Sequence, residues 1–120
     1  MTPNELTREI VKILDEKKAI DIVAIETEEL TIVSDYFVIA SGTSSTHVKS
    51  LADDVEYEMS KKGVEPLHTE GRATGWILLD YGSVIVHIFQ KESRDYYNLE
   101  RLWGDAQKVD LSDILTLQLT

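Results

Sequence analysis

The sequence predicts a mixed α/β fold, in which helices flank a β-sheet of about four to six strands. Apolar residues recur at helical spacing in two stretches, one near the N-terminus and one between residues 46 and 62. Short runs rich in β-branched and aromatic residues lie between and after these stretches, as is typical of strands. Because the two patterns are interspersed along only 120 residues, we expect a single layered domain.

The first predicted element is an N-terminal helix that extends to about Lys18. Thr2-Pro3-Asn4-Glu5 matches a capping box, with Thr2 as the N-cap and proline at the first helical position. We interpret this helix as a packing element, because its apolar stripe consists of Leu6, Ile10, Ile13 and Leu14.

Two strands and a second helix are expected next. One strand covers Asp21 to Thr27, and its β-branched content favours burial on both faces or nearly so. The other contains Phe37 to Ala40. The loop from Ser41 to Ser45 then leads into a helix from Thr46 to about Lys62. Gly63 should end that helix, because glycine readily adopts the positive φ of a helix stop.

The remaining elements surround a predicted hairpin. Residues 64–69 are expected to form a short strand or an extended connection, and Pro66 disfavours a central place in the sheet. A short helix capped by Ser93 should follow the hairpin. The domain is predicted to cover residues 1–106, followed by a C-terminal tail over residues 107–120. This tail is either a strand or unordered, since Leu115 to Leu119 alternate in hydropathy.

The hairpin has two apolar runs on either side of Gly82-Ser83, which predicts a tight turn. Side chains alternate between the two faces of each strand, so the loop length decides which residues of the second run share a face with Trp76 of the first run. A loop of two or four residues gives one assignment, and a three-residue loop gives the opposite one. With an even loop, the aliphatic face should meet the core and consists of Ile77, Leu79, Tyr81, Val84, Val86 and Ile88. The mixed face is the candidate binding surface and consists of Trp76, Leu78, Asp80, Ile85, His87 and Phe89.

Composition limits the possible functions. The net charge of −10 disfavours direct binding to nucleic acid and favours a basic protein partner, although solubility alone also explains the acidity. The chain has no cysteine, which excludes disulfides and thiolate chemistry. No apolar run reaches the roughly 20 residues that span a bilayer, and the first residues lack the features of a signal peptide. We therefore expect a cytoplasmic protein with no membrane association.

The loop from Ser41 to Ser45 could bind a phosphate group, because backbone amides at a helix N-terminus point at an anion. The loop has one glycine and no Walker lysine, so helix capping is favoured. Nucleotidyl transfer also needs paired carboxylates that hold magnesium. Asp53 and Asp54 are neighbours within the predicted helix and point in different directions, which disfavours catalysis of that type.

Two further groups of residues have side chains suited to catalysis. His68, Glu70 and His87 could hold a metal or act as a general base, but their spacing does not require either role. Ser44 and His47 lack the surrounding sequence of a hydrolase nucleophile. We therefore assign no catalytic residue, metal or cofactor, and favour a binding function for the mixed hairpin face.

Several motifs are spread over most of the chain: Asp35-Tyr36-Phe37-Val38-Ile39-Ala40-Ser41-Gly42-Thr43-Ser44, Glu70-Gly71, Gly75-Trp76-Ile77-Leu78-Leu79-Asp80-Tyr81-Gly82, Val86-His87-Ile88-Phe89 and Arg94-x-Tyr96-Tyr97-x-Leu99-Glu100-x-Leu102-Trp103. In these motifs, and from about Ile10 to Ala106, the sequence resembles the ribosomal silencing factor family, also called RsfS or Iojap-like. Ser83 departs from the acidic or amide residue that is frequent there in the family.

The resemblance implies a nucleotidyltransferase-like fold without the catalytic acids, and a protein that is not an enzyme. It also implies binding to the large ribosomal subunit through its protein fourteen, which sterically blocks joining of the small subunit and represses translation when nutrients are limiting. A homodimer of the free protein is a further expectation, because the same apolar face could pair with itself. The alternative is a nucleotide-binding or nucleotidyltransferase-like enzyme.

Within this interpretation, the mixed face has two expected roles. Trp76, Leu78 and His87 should supply apolar contact, whereas Glu70 and Asp80 should pair with basic residues of the partner. The full set of expected partner-binding residues is Glu70, Trp76, Leu78, Asp80, Ile85, His87 and Phe89.

Overall fold

The computed structural model describes residues 1–27, 34–71, 75–93 and 107–115. It confirms the predicted mixed α/β fold with a sheet of up to six strands. The elements in chain order are α1 (Pro3–Glu16), β1 (Ile20–Glu26), β2 (Tyr36–Gly42), α2 (Ser45–Ser60), β3 (His68–Glu70), β4 (Trp76–Asp80), β5 (Val84–Gln90) and β6 (Gln107–Lys108).

The six strands form one sheet in the order β3-β4-β5-β2-β1-β6. Strands β2 and β5 are parallel, and the other neighbouring pairs are antiparallel. Helix α2 lies between β2 and β5 in the chain, and a crossover of this kind is what allows neighbouring strands to run parallel. Strand β3 follows Pro66 and lies at the edge of the sheet, as the proline predicted.

The N-terminal helix begins at the predicted capping box. The Glu5 amide donates to Thr2 Oγ1 at 3.1 Å, and the Thr2 amide donates to Glu5 Oε1 at 2.9 Å. The helix ends at Glu16, slightly before the predicted end. Lys18 adopts a φ of 67°, a left-handed conformation that cannot continue a right-handed helix.

The second helix is capped by Ser44, whose Oγ accepts from the His47 amide at 3.1 Å. Capping by this loop, the interpretation favoured from the sequence, is therefore confirmed. The Thr43 amide donates to His47 Nδ1 at 2.9 Å and is thus directed at a side chain in the first turn of the helix. At the other end, Gly63 adopts the predicted positive φ, 79°, three residues after the helix ends at Ser60.

Both helices pack on the same face of the sheet. Their apolar stripes meet the aliphatic side of the hairpin, which is buried as predicted, with Ile77, Leu79, Val84, Val86 and Ile88 fully buried and Tyr81 nearly so. Trp76 pairs with Phe89 across the hairpin, so the connecting loop has an even number of residues. This confirms the prediction of which hairpin side chains face the core and which face the opposite side.

Strand β1 is less buried than predicted. Only Ala24 and Ile25 are buried among its residues, and Asp21 is exposed. The physical reason is its position: β1 is covered on its outer side by β6, which has only two residues. A register irregularity between Ile20 and Val23 further interrupts its pairing with β2.

Residues 107–115 contact the folded domain. The Val109 amide donates to the Ala24 carbonyl at 2.8 Å, and Leu111 is buried in the main hydrophobic core. Arg8 forms an ion pair with Asp113 at 3.1 Å. The predicted alternation after Leu115 lies outside the described residues, as does the predicted helix after Ser93. Ser93 itself lies in a helical stretch at residues 91–93, so its predicted role as an N-cap is wrong.

Replacing Gly42 by alanine should lower the free energy of unfolding by about 2 kcal/mol, because the added methyl group would not fit into the closely packed core at this point. A Cβ at this position would lie 2.9 Å from Val48 Cγ2 and 3.0 Å from the Val48 amide nitrogen, which belongs to the helix backbone. Urea unfolding measures the change. The control is Ser45→Ala, at an exposed position in the same loop-to-helix junction, which should change stability by less than about 0.5 kcal/mol. Equal stabilities of the two variants would contradict the close approach of β2 and α2.

Candidate protein-binding face

The sheet face opposite the two helices carries all seven residues predicted to bind a partner, and we call it the second face. Cross-strand pairing places Trp76 opposite Phe89, Leu78 opposite His87 and Asp80 opposite Ile85. Strand β3 adds Glu70, which lies opposite Leu78. Directly opposed residues share a face of an antiparallel pair, so the register alone brings these side chains together.

Burial divides the second face into two layers. On β5, the exposed fractions are 8% for Ile85, 4% for His87 and 0% for Phe89, so these residues lie in the interior. On β4, Trp76, Leu78 and Asp80 remain partly exposed, and the Glu70 side chain on β3 is 66% exposed. Exposure on this face therefore falls from the edge strand β3 through β4 to the more central strand β5.

Aromatic rings fill the centre of the second face. Trp76 stacks on Phe89 with ring centroids 5.1 Å apart, and Phe37 contacts the His87 ring edge-on at 4.7 Å. Phe37 was not among the predicted site residues. Alternation along β2 predicts that Phe37 and Ile39 share a face of the sheet. The contact between Phe37 and His87 additionally depends on the parallel pairing of β2 with β5, which sequence patterns do not reveal.

His87 is a buried, hydrogen-bonded residue of this cluster. The Trp76 indole Nε1–H donates to His87 Nδ1 at 3.1 Å, so in the neutral ring the proton is on Nε2. That Nε2–H is buried and has no hydrogen-bond partner among the described residues. Burial lowers the pKa of His87 from its ordinary value near 6.5 to about 4, because the charged imidazolium would lose its hydration.

An acidic border adjoins the aromatic centre. His68 lies between two carboxylates, with Nδ1 3.4 Å from Asp80 Oδ2 and Nε2 3.5 Å from Glu70 Oε1. The other oxygen of Asp80 accepts from the Gly82 amide at 2.8 Å, which ties the carboxylate to the hairpin turn. The sequence suggested His68 only as a metal ligand or general base, although its alternation with Glu70 on one strand places both on the second face.

The grouping of His68, Glu70 and His87 considered for a metal does not assemble. His68 and Glu70 are on the edge strand, whereas His87 is two strands away and its Nδ1 accepts the Trp76 indole proton. In the described ranges, no three His, Cys, Asp or Glu side chains have an arrangement that could hold a metal ion. The second face instead offers a partly exposed tryptophan above a buried aromatic layer, bordered by carboxylates.

The fold and this face define an α/β protein with one helix-covered sheet face and one face that combines aromatic and acidic residues. The sequence model of the family described as "Ribosomal silencing factor during starvation" matches residues 1–119. The chain belongs to this family, and its general role is therefore ribosome silencing. Within the described ranges, neither helix combines the length and apolar character that crossing a membrane requires.

Individual relatives agree with this assignment. A ribosomal silencing factor from Halalkalibacterium halodurans is 37% identical over 117 residues, which cover 97% of this chain and 100% of the relative. One from Bacillus subtilis is 42% identical over 98 residues, covering 81% and 83%. The crystal structure of a protein from Chromobacterium violaceum has a TM-score of 0.84 and 34% identity, covering 92% of both chains. The fold is therefore shared with solved structures of clear sequence similarity.

The buried imidazole predicts a fall in stability at acidic pH. Between pH 6.5 and 4 the unfolded chain binds a proton at His87 that the folded protein does not bind, so protonation favours unfolding. This group should therefore lower the free energy of unfolding by about 2 kcal/mol between pH 7.5 and pH 5. Most carboxylates remain ionised over this interval.

Urea unfolding at the two pH values measures this effect. In His87→Asn, which cannot titrate at this position, the fall in the free energy of unfolding should be smaller by about the same 2 kcal/mol, because the rest of the chain is identical in the two proteins. A fall of equal size in both proteins would refute the neutral state of His87.

Proposed function

We propose that this protein silences ribosomes by binding protein fourteen of the large subunit through the second face, and that the bound protein sterically blocks joining of the small subunit. The observation that carries the proposal is the partly exposed Trp76 stacked on the buried Phe89, beside an acidic border. This combination suits binding to a basic protein surface. Family membership supports the ribosome as the setting.

Trp76 is the proposed anchor, meaning the residue whose truncation weakens binding most. Tryptophan is enriched at such positions because it offers a large contact area with few rotatable bonds. The layer beneath it is already buried, so little side-chain entropy would be lost there when the partner binds. Of the predicted partner-binding residues, we therefore propose direct contact for Glu70, Trp76, Leu78 and Asp80, and support from within for Ile85, His87 and Phe89.

Charge supports the choice of a basic partner. The chain has a net charge of −10, and the exposed edge of the second face presents Glu70 and Asp80. Opposite potentials on two surfaces accelerate association and orient the encounter. A basic ribosomal protein therefore suits this surface better than the phosphates of ribosomal RNA, which the acidic surface would repel.

We further propose that the protein acts by occupying a surface, without catalysing a reaction. The nucleotide-binding alternative gains no support from the loop before α2, where the Thr43 amide donates to His47 and the Ser44 hydroxyl caps the helix. Calorimetry with magnesium-nucleotide tests the alternative: heat of binding at micromolar nucleotide would contradict the proposed mode of action.

Replacing Trp76 by alanine should weaken binding to purified large ribosomal subunits by at least about 2 kcal/mol, roughly thirtyfold, because the anchor is lost. Co-sedimentation over a range of subunit concentrations measures the affinity. Tyr57→Ala is the matched control, since Tyr57 is a 64% exposed aromatic residue on α2, which packs on the other face of the sheet. Unchanged binding by Trp76→Ala, or an equal loss in both variants, would remove the second face from the interface.

Neutralising the acidic border should reduce the salt dependence of binding. The double variant Glu70→Gln/Asp80→Asn should bind roughly two- to tenfold more weakly at low salt and lose less affinity as salt rises. Asparagine at position 80 keeps an oxygen that can accept from the Gly82 amide, so the turn is retained. The control is Glu16→Gln, at an exposed position at the end of α1. Parallel salt curves for the wild type and the double variant would exclude the two carboxylates from the interface.

A further inference from the structure

We infer that His87 is a positioning residue, which holds the indole ring of Trp76 in the one orientation that the partner meets. This inference rests on the proposed role of Trp76 as the anchor. From the sequence alone, His87 is interpreted as a contact residue. The structure buries it to 4% exposure and leaves the neighbouring tryptophan partly exposed, so its effect on a partner would pass through Trp76.

The two residues interact diagonally across the hairpin. Leu78 is directly opposite His87, and Phe89 is directly opposite Trp76, so the indole and imidazole belong to neighbouring cross-strand pairs. Long aromatic side chains can bridge this diagonal. Their ring centroids are 5.7 Å apart, and the Nε1 to Nδ1 distance of 3.1 Å is that of a hydrogen bond.

Stacking and hydrogen bonding restrict different motions of the indole. The stack on Phe89, with planes 27° apart, limits the tilt of the ring but would tolerate the ring turned over by 180°. The bond from Nε1–H to His87 removes that second orientation, because the turned-over ring would present carbon atoms to Nδ1. Together the two contacts select which edge of Trp76 faces outward.

The imidazole is itself held in place. Phe37 contacts the His87 ring edge-on at 4.7 Å, with an angle of 64° between the planes. The buried Nε2–H on the far side of the ring has no partner among the described residues, an arrangement that costs stability and that an apolar residue would avoid. The acceptor that Nδ1 offers to Trp76 explains why a histidine suits this position despite that cost.

Two substitutions separate the acceptor from the bulk of the ring. In His87→Asn, the side-chain oxygen takes approximately the place of Nδ1 and can accept the indole proton. In His87→Leu, the site stays apolar and filled but has no acceptor. We expect His87→Leu to lower the affinity for large ribosomal subunits about tenfold and His87→Asn to lower it less than about threefold, as measured by co-sedimentation.

A double-mutant cycle with Trp76→Phe then tests whether His87 acts through the indole. Phenylalanine keeps a ring over Phe89 but has no N–H, so adding His87→Leu to Trp76→Phe should change the affinity by less than about twofold. A further tenfold loss in that background would overturn the inference, because His87 would then act independently of the indole. Equal losses in His87→Asn and His87→Leu would overturn it as well.

The free protein provides a readout that does not depend on the partner. In a nitrogen-proton NMR spectrum, the indole signal absent from Trp76→Phe identifies Trp76, and its N–H should exchange with solvent at least about tenfold faster in His87→Leu than in the wild type or His87→Asn. An unchanged exchange rate would overturn the inference. If the wild-type protein failed to bind large subunits, the proposed function would be wrong, whereas the exchange rate would still decide whether His87 holds the ring.

Discussion

The register between β4 and β5 is the constraint on which the second face depends. The Tyr81 amide donates to the Val84 carbonyl at 2.9 Å, and Gly82 adopts a φ of 85° in the turn between them. The Asp80 carboxylate accepts a hydrogen bond from the Gly82 amide and thereby stabilises the turn. A slip by one residue would exchange the two faces of one strand, so that aliphatic residues met solvent and Trp76 entered the core.

This register lets one hairpin serve two purposes. Its aliphatic side provides part of the layer on which α1 and α2 pack, and that layer contains most of the buried apolar residues. On its other side, aromatic residues of the hairpin pack with Phe37 of β2. The carboxylates of Glu70 and Asp80 lie next to this cluster, on β3 and β4. The second face is therefore held in place by strands that also belong to the main core. The family to which the chain belongs has a general role in the silencing of ribosomes.

Local patterns predicted much of the fold. The caps of the first two helices, the stop at Gly63, the even hairpin loop and the edge position after Pro66 each depend on residues close in sequence, and each is observed. Strand order is different, because it depends on pairing between distant segments. The modest burial of β1, the docking of residues 107–115 and the meeting of Phe37 with His87 all follow from that order. For the same reason, strand alternation predicted the sheet face on which His87 lies but could not predict how deeply its side chain is buried.

The parallel pairing of β2 with β5 has a consequence for how the chain folds. These strands form the middle of the sheet, yet Tyr36 pairs with Val84 and Gly42 pairs with Gln90, so each contact joins segments separated by all of α2, β3 and β4. During synthesis, the centre of the sheet cannot close until residue 90 has left the ribosome. The hairpin of β4 and β5 is local and can form earlier, since closing a short loop costs little entropy. Until β2 joins, the aromatic side of that hairpin lacks Phe37 and Ile39, and the nascent chain exposes apolar surface on which chaperones act.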